Sequence, residues 1–219
     1  MASRVVVILS LLIFISCRGR TTERNFTKAL EIAEPVQQDS ASVFDGKSLD
    51  GWEITNFGPQ GPVSVSGGEI IMGMGDGCTG ITYTRNVPSI NYEVSLEARR
   101  KEGNDFFCGL TFKVRNDFCT FIAGGWGGTT VGLSCINGKD AAENETTSSF
   151  SFEKGRWYLI RLLITESRIE TWIDEEKVID FITTGKKLSI RPEVTLSRPL
   201  GIASWNTTAG VRNIRIKRL

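Results

Sequence analysis

From Ser42 to the C-terminus, apolar and polar residues alternate with a period of two. In "INYEVSLEARR", Tyr92, Val94, Leu96 and Ala98 share one face, while Asn91, Glu93, Ser95, Glu97 and Arg99 share the other. Successive strand side chains point to opposite sides of a sheet, so this is the pattern of a half-buried strand. The segments "DFFCGLTFKV", "FCTFIAGG", "TTVGLSCI", "RWYLIRLLIT", "RIETWID", "KVIDFI", "GIASWN" and "VRNIRIKRL" follow. Each is short, β-branched or aromatic, and bounded by Gly, Asn or Asp. The turn signals are "SGGE" at 66–69, "RND" at 115–117 and "DEEK" at 174–177. No segment carries a helical stripe longer than two turns. The pattern predicts an all-β fold, an antiparallel β-sandwich or jelly roll over residues 42–219. A bent sandwich leaves a groove on one outer face, suited to an extended ligand.

The first 41 residues follow a different pattern. "MASRVVVILSLLIFISC" has one charge at Arg4 and then an apolar run from Val5 to Ile15, short for a bilayer span and suited to an export signal. It ends in "FISC", similar to a bacterial lipobox in which Cys17 would receive the lipid; the alternative is plain cleavage beside an incidental cysteine. Residues 1–17 are therefore expected to be a signal peptide, 18–41 a polar tether and 42–219 the folded domain. The protein is expected to be exported, meeting a membrane only through a lipid on Cys17.

Composition narrows the chemistry. The 219 residues are 40% hydrophobic and 23% charged, with a formal net charge of +1 and scattered basic residues, so the electrostatic footprint of a nucleic-acid binder is absent. Histidine is missing altogether, which removes a His-based catalytic triad and a His-rich zinc site. Four cysteines lie beyond Cys17: Cys78, Cys108, Cys119 and Cys135. Cys119 and Cys135 flank a glycine-rich turn and are either bridged across a hairpin or buried as small apolar residues. Loops "GMGDGCTG" and "NGKDAAEN" are candidates for a structural Ca²⁺, but neither follows a recognised ligand spacing, and no metal or other cofactor is assigned.

The glycine-rich turn is "FIAGGWGGTTVGLSC". A phosphate loop needs a helix after its glycines. Here a β-branched strand follows, so the nucleotide reading fails. The glycines either permit a tight turn with Trp126 folded on the core edge, or bare the indole so that a sugar ring can stack on it. Trp205, beside Asn206, Thr207 and Thr208, is a second candidate platform, whereas Trp52, Trp157 and Trp172 read as packing residues. Among the carboxylates, Glu97 shares the non-core face with Arg99, as a surface ion pair or as a general base held charged. Asp105 stands at a strand start, as a turn residue or as a further candidate carboxylate. Asn144 and Glu145 occupy a polar loop able to close over a groove.

Taken together, "SVFDGKSLDGWEI", "INYEVSLEARRKEGNDFFCGLTFKV", "GRWYLIRLLIT", "IETWIDEEKVIDF" and "LGIASWNTTAGVRNIRIKRL" resemble the 3-keto-disaccharide hydrolase family over most of residues 42–219. The resemblance implies a concanavalin A-like jelly roll, bacterial export and action on glycosides oxidised at C3. A C3 ketone acidifies the C2 proton; a base removes it, the C1 substituent leaves, and water adds. Glu97 matches the glutamate of the family's E-x-R strand, with Arg99 as a candidate enolate donor. The chain departs from the family in carrying "NDFFCGL" where "NSGI" is common, and in lacking histidine.

Two functions follow. One is an exported hydrolase or lyase of 3-keto-glycosides, with Glu97, Arg99 and Asp105 catalytic and Trp126, Asn144, Glu145, Trp205 and Asn206 binding the sugar. The other is a non-catalytic carbohydrate-binding or surface-interaction module on the same sandwich. The partner expected in either case is carbohydrate.

Overall fold

The computed structural model describes residues 40–219. The expected signal peptide, the lipid-bearing Cys17 and all but the last two residues of the expected tether lie outside them. Those last two residues belong to the fold: Ser40–Ser42 form β1, paired with the C-terminal strand.

The strands divide between two antiparallel sheets. The first sheet contains β3 (Val63–Ser66), β4 (Glu69–Met72), β6 (Tyr92–Gly103), β11 (Tyr158–Ile164), β12 (Arg168–Ile173), β13 (Glu176–Ile182) and β15 (Thr207–Arg218). Its order is β13-β12-β11-β6-β15-β4-β3, with β1 against β15. The second sheet contains β2 (Trp52–Ile54), β5 (Cys78–Tyr83), β7 (Cys108–Val114), β8 (Asp117–Gly125), β9 (Thr130–Ser134), β10 (Ser148–Ser149) and β14 (Gly201–Trp205). Its order is β10-β9-β8-β7-β14-β5-β2. The chain is the expected all-β sandwich, a jelly roll.

Period two places the core. Tyr92, Val94, Leu96 and Ala98 are fully buried, while Glu93, Ser95, Glu97 and Arg99 between them are half-buried on the outer side. Facing them across the interior are Cys108, Leu110 and Phe112 of β7 and Cys119, Phe121 and Ala123 of β8. Each large side chain removed from water in this way contributes about 1.5–3 kcal/mol. The Tyr92 hydroxyl donates to the Lys113 carbonyl at 2.7 Å, linking the two sheets. The three turn signals all lie between paired strands, with Ser66 opposite Glu69, Val114 opposite Asp117 and Ile173 opposite Glu176.

The hairpin β8–β9 forms as expected, with Thr120 opposite Ser134, but the cysteines beyond those residues are not bridged. All four described cysteines are buried and free. The Cys119 thiol faces the core and donates to the Ser134 carbonyl, while the Cys135 backbone leaves the hairpin to pair with Ser189. A disulfide needs both Cβ vectors directed at each other, and that divergence prevents it.

Candidate functional site

The outer face of the second sheet is built from small side chains. Gly80, Ala203, Gly109, Ile122 and Gly132 lie in one cross-strand row, and Thr82, Gly201, Thr111, Thr120 and Ser134 in the next. Their small volume leaves space above the sheet, and a connecting segment partly roofs it. This segment ends in a short 3₁₀ turn, Pro192–Ser197, where Pro192 presets the first φ angle and Glu193 lies in the first turn. Gly201 lets the turn sit directly on the strand, because a Cβ there would lie 2.6 Å from Ser197. Thr82 Oγ1 fixes the turn by donating to the Leu196 carbonyl at 2.9 Å.

Between the roof and the β8–β9 turn is a hollow of about 180 Å³. Trp126 and Trp205 line it together with Asp105, Arg191, Glu193 and the thiol-bearing Cys78. Trp126 is 44% exposed, so its indole face is available. Arg191 joins two carboxylates, bonding Glu193 and Asp140 at 2.9 Å each. Its hydrogen bond holds the Glu193 carboxyl below the usual carboxylate range. Glu193 is thus ionised at neutral pH, and Arg191 supplies a fixed positive charge beside it. Burial, reinforced by Glu193, pushes the Cys78 thiol up to about 12, so it stays neutral. Asp105 sits in the turn before β7, where its Oδ1 accepts the Phe106 N–H at 2.7 Å.

The remaining expected residues fall elsewhere. Glu97 and Arg99 point outward from β6 as expected, but on the outer face of the opposite sheet, and neither lines the hollow. Nor do they pair with each other. Glu97 accepts from Arg212 Nε at 2.8 Å and from Asn213 at 2.7 Å, whereas Arg99 bonds Glu69 at 2.6 Å. Trp157 lies between the two arginines, 4.4 Å from Arg99 and 4.1 Å from Arg212. Trp172 lies 3.9 Å from Arg161 on the same side. Thus only Trp52 of the three expected packing tryptophans is buried; Trp157 and Trp172 pack outside the core, against guanidinium groups. Glu97 and Arg99 differ in pairing because residues two apart on a strand are farther apart than cross-strand neighbours.

Asn144 is committed to its own loop. It donates to the Leu133 and Asp140 carbonyls at 2.7 and 2.6 Å and accepts from Thr146 Oγ1 at 2.7 Å. Glu145 pairs with Lys186 at 2.5 Å along a separate open trough. Asn206 adopts a left-handed turn conformation after β14, and its Oδ1 accepts the Gly77 N–H at 2.7 Å. None of the three lines the hollow, and Asn144 in particular has its polar atoms satisfied within the fold, leaving little for a ligand. Of the two candidate calcium loops, "NGKDAAEN" spends Asp140 on Arg191 and Asn144 on backbone groups. Among the described residues no cluster of three or more acidic or thiol groups has metal-binding spacing.

Reading the sequence missed Arg191 and Glu193. They lie in "SIRPEVTLSRP", a connection without period-two alternation, and the only available signal was the charged pair flanking a proline.

Comparison with solved structures places the fold among carbohydrate-related proteins. The chain superposes on the Crh5 transglycosylase complexed with NAG at a TM-score of 0.58, with 15% identity, covering 82% of this chain and 83% of that one. For a Bacillus licheniformis β-glucanase the values are 0.56, 11%, 84% and 99%. For a Parabacteroides distasonis ATCC 8503 protein provisionally assigned as a glycosyl hydrolase they are 0.54, 17%, 82% and 94%. No curated protein sequence matches the chain. The family model of the 3-keto-alpha-glucoside-1,2-lyase-like domain matches residues 39–217, nearly the whole described sandwich, and the chain therefore belongs to that family.

Proposed function

We propose that the protein is an exported carbohydrate-active enzyme that cleaves 3-keto-glycosides at the hollow on the second sheet. The observation that carries this reading is the convergence of Glu193, Arg191 and Asp105 with the faces of Trp126 and Trp205 in one space of about 180 Å³. The scale suits a sugar ring, the indoles suit its C–H faces, and the charged groups suit proton transfer. The family's description as 3-keto-alpha-glucoside-1,2-lyase-like supports the proposed substrate class.

In this reading Glu193 takes the C2 proton of the bound sugar. The C2–H electron pair moves toward the C3 carbonyl, and Arg191 balances the negative charge gathering on that oxygen. The enolate then re-forms the ketone, C1=C2 forms, and the C1–O bond breaks. The departing oxygen takes a proton, for which the protonated Glu193 is the donor. Water adding across C1=C2 would complete a net hydrolysis. With no histidine in the chain and the Cys78 thiol held neutral, the carboxylates are the proton-transfer groups lining the hollow. Glu97 has no part in this scheme.

Incubating the purified protein with a 3-keto-disaccharide and with its unoxidised parent tests the proposal. Cleavage of the keto compound alone is expected, with a loss of about 100-fold or more in Glu193→Gln. A second reading, binding without catalysis, is favoured by one feature: Glu193 is already engaged by Arg191. Binding of either sugar without cleavage would replace the enzymatic reading with that one.

A further inference from the structure

The tip of the β8–β9 turn is held from the opposite sheet. Arg100 projects inward from β6, the fifth residue of the core-facing set that starts at Tyr92, and is only 7% exposed. Its guanidinium crosses the end of the core between Phe107 and Phe152, at 5.3 and 6.0 Å from their rings. Its Nη2 donates to the carbonyls of Gly124 and Gly128 at 3.2 and 2.8 Å. Those two glycines bracket Trp126. A Cβ on Gly124 would lie 2.4 Å from Nη2, and one on Gly128 would lie 3.2 Å from Nη1. The bare glycines are thus the clearance through which the buried cation reaches the turn.

Trp126 itself has a φ of +46°, in the left-handed region that bulky residues avoid. Such a conformation persists only where the surroundings enforce it. Burying a guanidinium is also costly unless it finds acceptors, and here both acceptors are carbonyls of the turn that displays the indole.

We propose that Arg100 is a positioning residue that fixes the presentation of Trp126 and so sets the affinity of the hollow for its ligand. This rests on the reading of the hollow as the sugar site, with Trp126 as one wall. Arg100 touches neither the ligand nor the reacting atoms; it acts through the turn. Its removal frees the indole to leave the hollow's edge, weakening capture while leaving Glu193 and its partner Arg191 in place.

The test uses the full chain with Arg100→Met, Arg100→Lys, Trp126→Ala and Arg100→Met/Trp126→Ala. With a 3-keto-disaccharide as probe, Arg100→Met raises KM about tenfold and leaves kcat within about twofold. The double variant is no worse than Trp126→Ala alone, because both changes remove one interaction. Independently of any sugar, the Trp126 share of the fluorescence, obtained by difference from Trp126→Phe, becomes more accessible to acrylamide in Arg100→Met. Arg100→Lys, which keeps the charge but loses the forked donors, falls between wild type and Arg100→Met and decides the matter if Arg100→Met does not fold. A lowered melting temperature with unchanged KM and unchanged quenching would overturn the proposal, as would additive effects in the double variant. If the wild-type chain neither binds nor cleaves the sugar, the functional reading fails, while quenching still decides whether Arg100 holds Trp126.

Discussion

The two outer faces of the sandwich obey the same period-two rule and end in opposite states. Many outward residues of the first sheet are long and charged, and these pair across their own surface. Glu69 is bonded by both Arg99 and Lys101, Glu97 by Arg212, and Glu93 by Arg161, with Trp157 stacked between guanidinium groups. The two central outward rows of the second sheet are, apart from Ile122, glycine, alanine, threonine and serine, and they leave a hollow that Arg191, Glu193, Trp126 and Trp205 line. A carboxylate on an outward strand position is therefore a poor guide to chemistry by itself. What its neighbours leave empty matters more.

The sharpest way to break this contrast is to remove one carboxylate from each face. Glu193→Gln is expected to reduce turnover of a 3-keto-disaccharide by about 100-fold or more, and Glu97→Gln by no more than about twofold. Equal losses in steady-state assays would erase the distinction. Next in size are the tryptophans. Trp205→Ala is expected to weaken sugar binding about tenfold, equivalent to roughly 1.4 kcal/mol. Trp157→Ala should leave binding unchanged and instead lower the melting temperature by about 2–4 °C, through loss of roughly 1 kcal/mol of stacking. Calorimetric titration and thermal melts separate the two.

Acid should act through the charged face. Burial alone would raise the Glu69 carboxyl, but hydrogen bonds from Arg99 and Lys101 outweigh it and hold it below its ordinary 4.5; Asn213 and Arg212 do the same for Glu97. A carboxylate with a depressed folded-state value stabilises fully above its unfolded value, and that stability is lost as pH falls through the lower folded one. The melting temperature is thus expected to fall as pH drops below about 4.5. The fall should be shallower in Glu69→Gln, which starts less stable; an unchanged slope would show that these pairs do not govern acid sensitivity. Smallest is the effect of reductant. With all four described cysteines free, dithiothreitol should not move the melting temperature. A drop of several degrees would reveal a Cys119–Cys135 bridge, which typically contributes about 2–4 kcal/mol.

Much of the fold was legible because its determinants are local. Alternation in "INYEVSLEARR" placed Tyr92, Val94 and Leu96 inside and Glu97 and Arg99 outside, and Gly-, Asn- and Asp-bearing turns marked where strands reverse. Trp126, Trp205 and Asp105 were also legible as candidates, since a bared indole or an acid at a strand start is visible in a short stretch. The pairing of Glu97 with Arg212, 115 residues away, was not, and neither was the closure of Asn144 onto its own loop.

The sequence by itself determined that this chain is a sandwich, which residues form its core, and which side chains face outward. Those follow from the two-residue pitch of a strand and from the cost of burying polar groups. Only the tertiary structure decided which outward face is hollow, that Arg191 and Glu193 join Trp126 and Trp205 there, and that Arg100 reaches from one sheet to steady a turn of the other. The reason is physical: space above a sheet depends on the volumes of residues brought side by side from distant strands, and no local pattern along the chain encodes that adjacency.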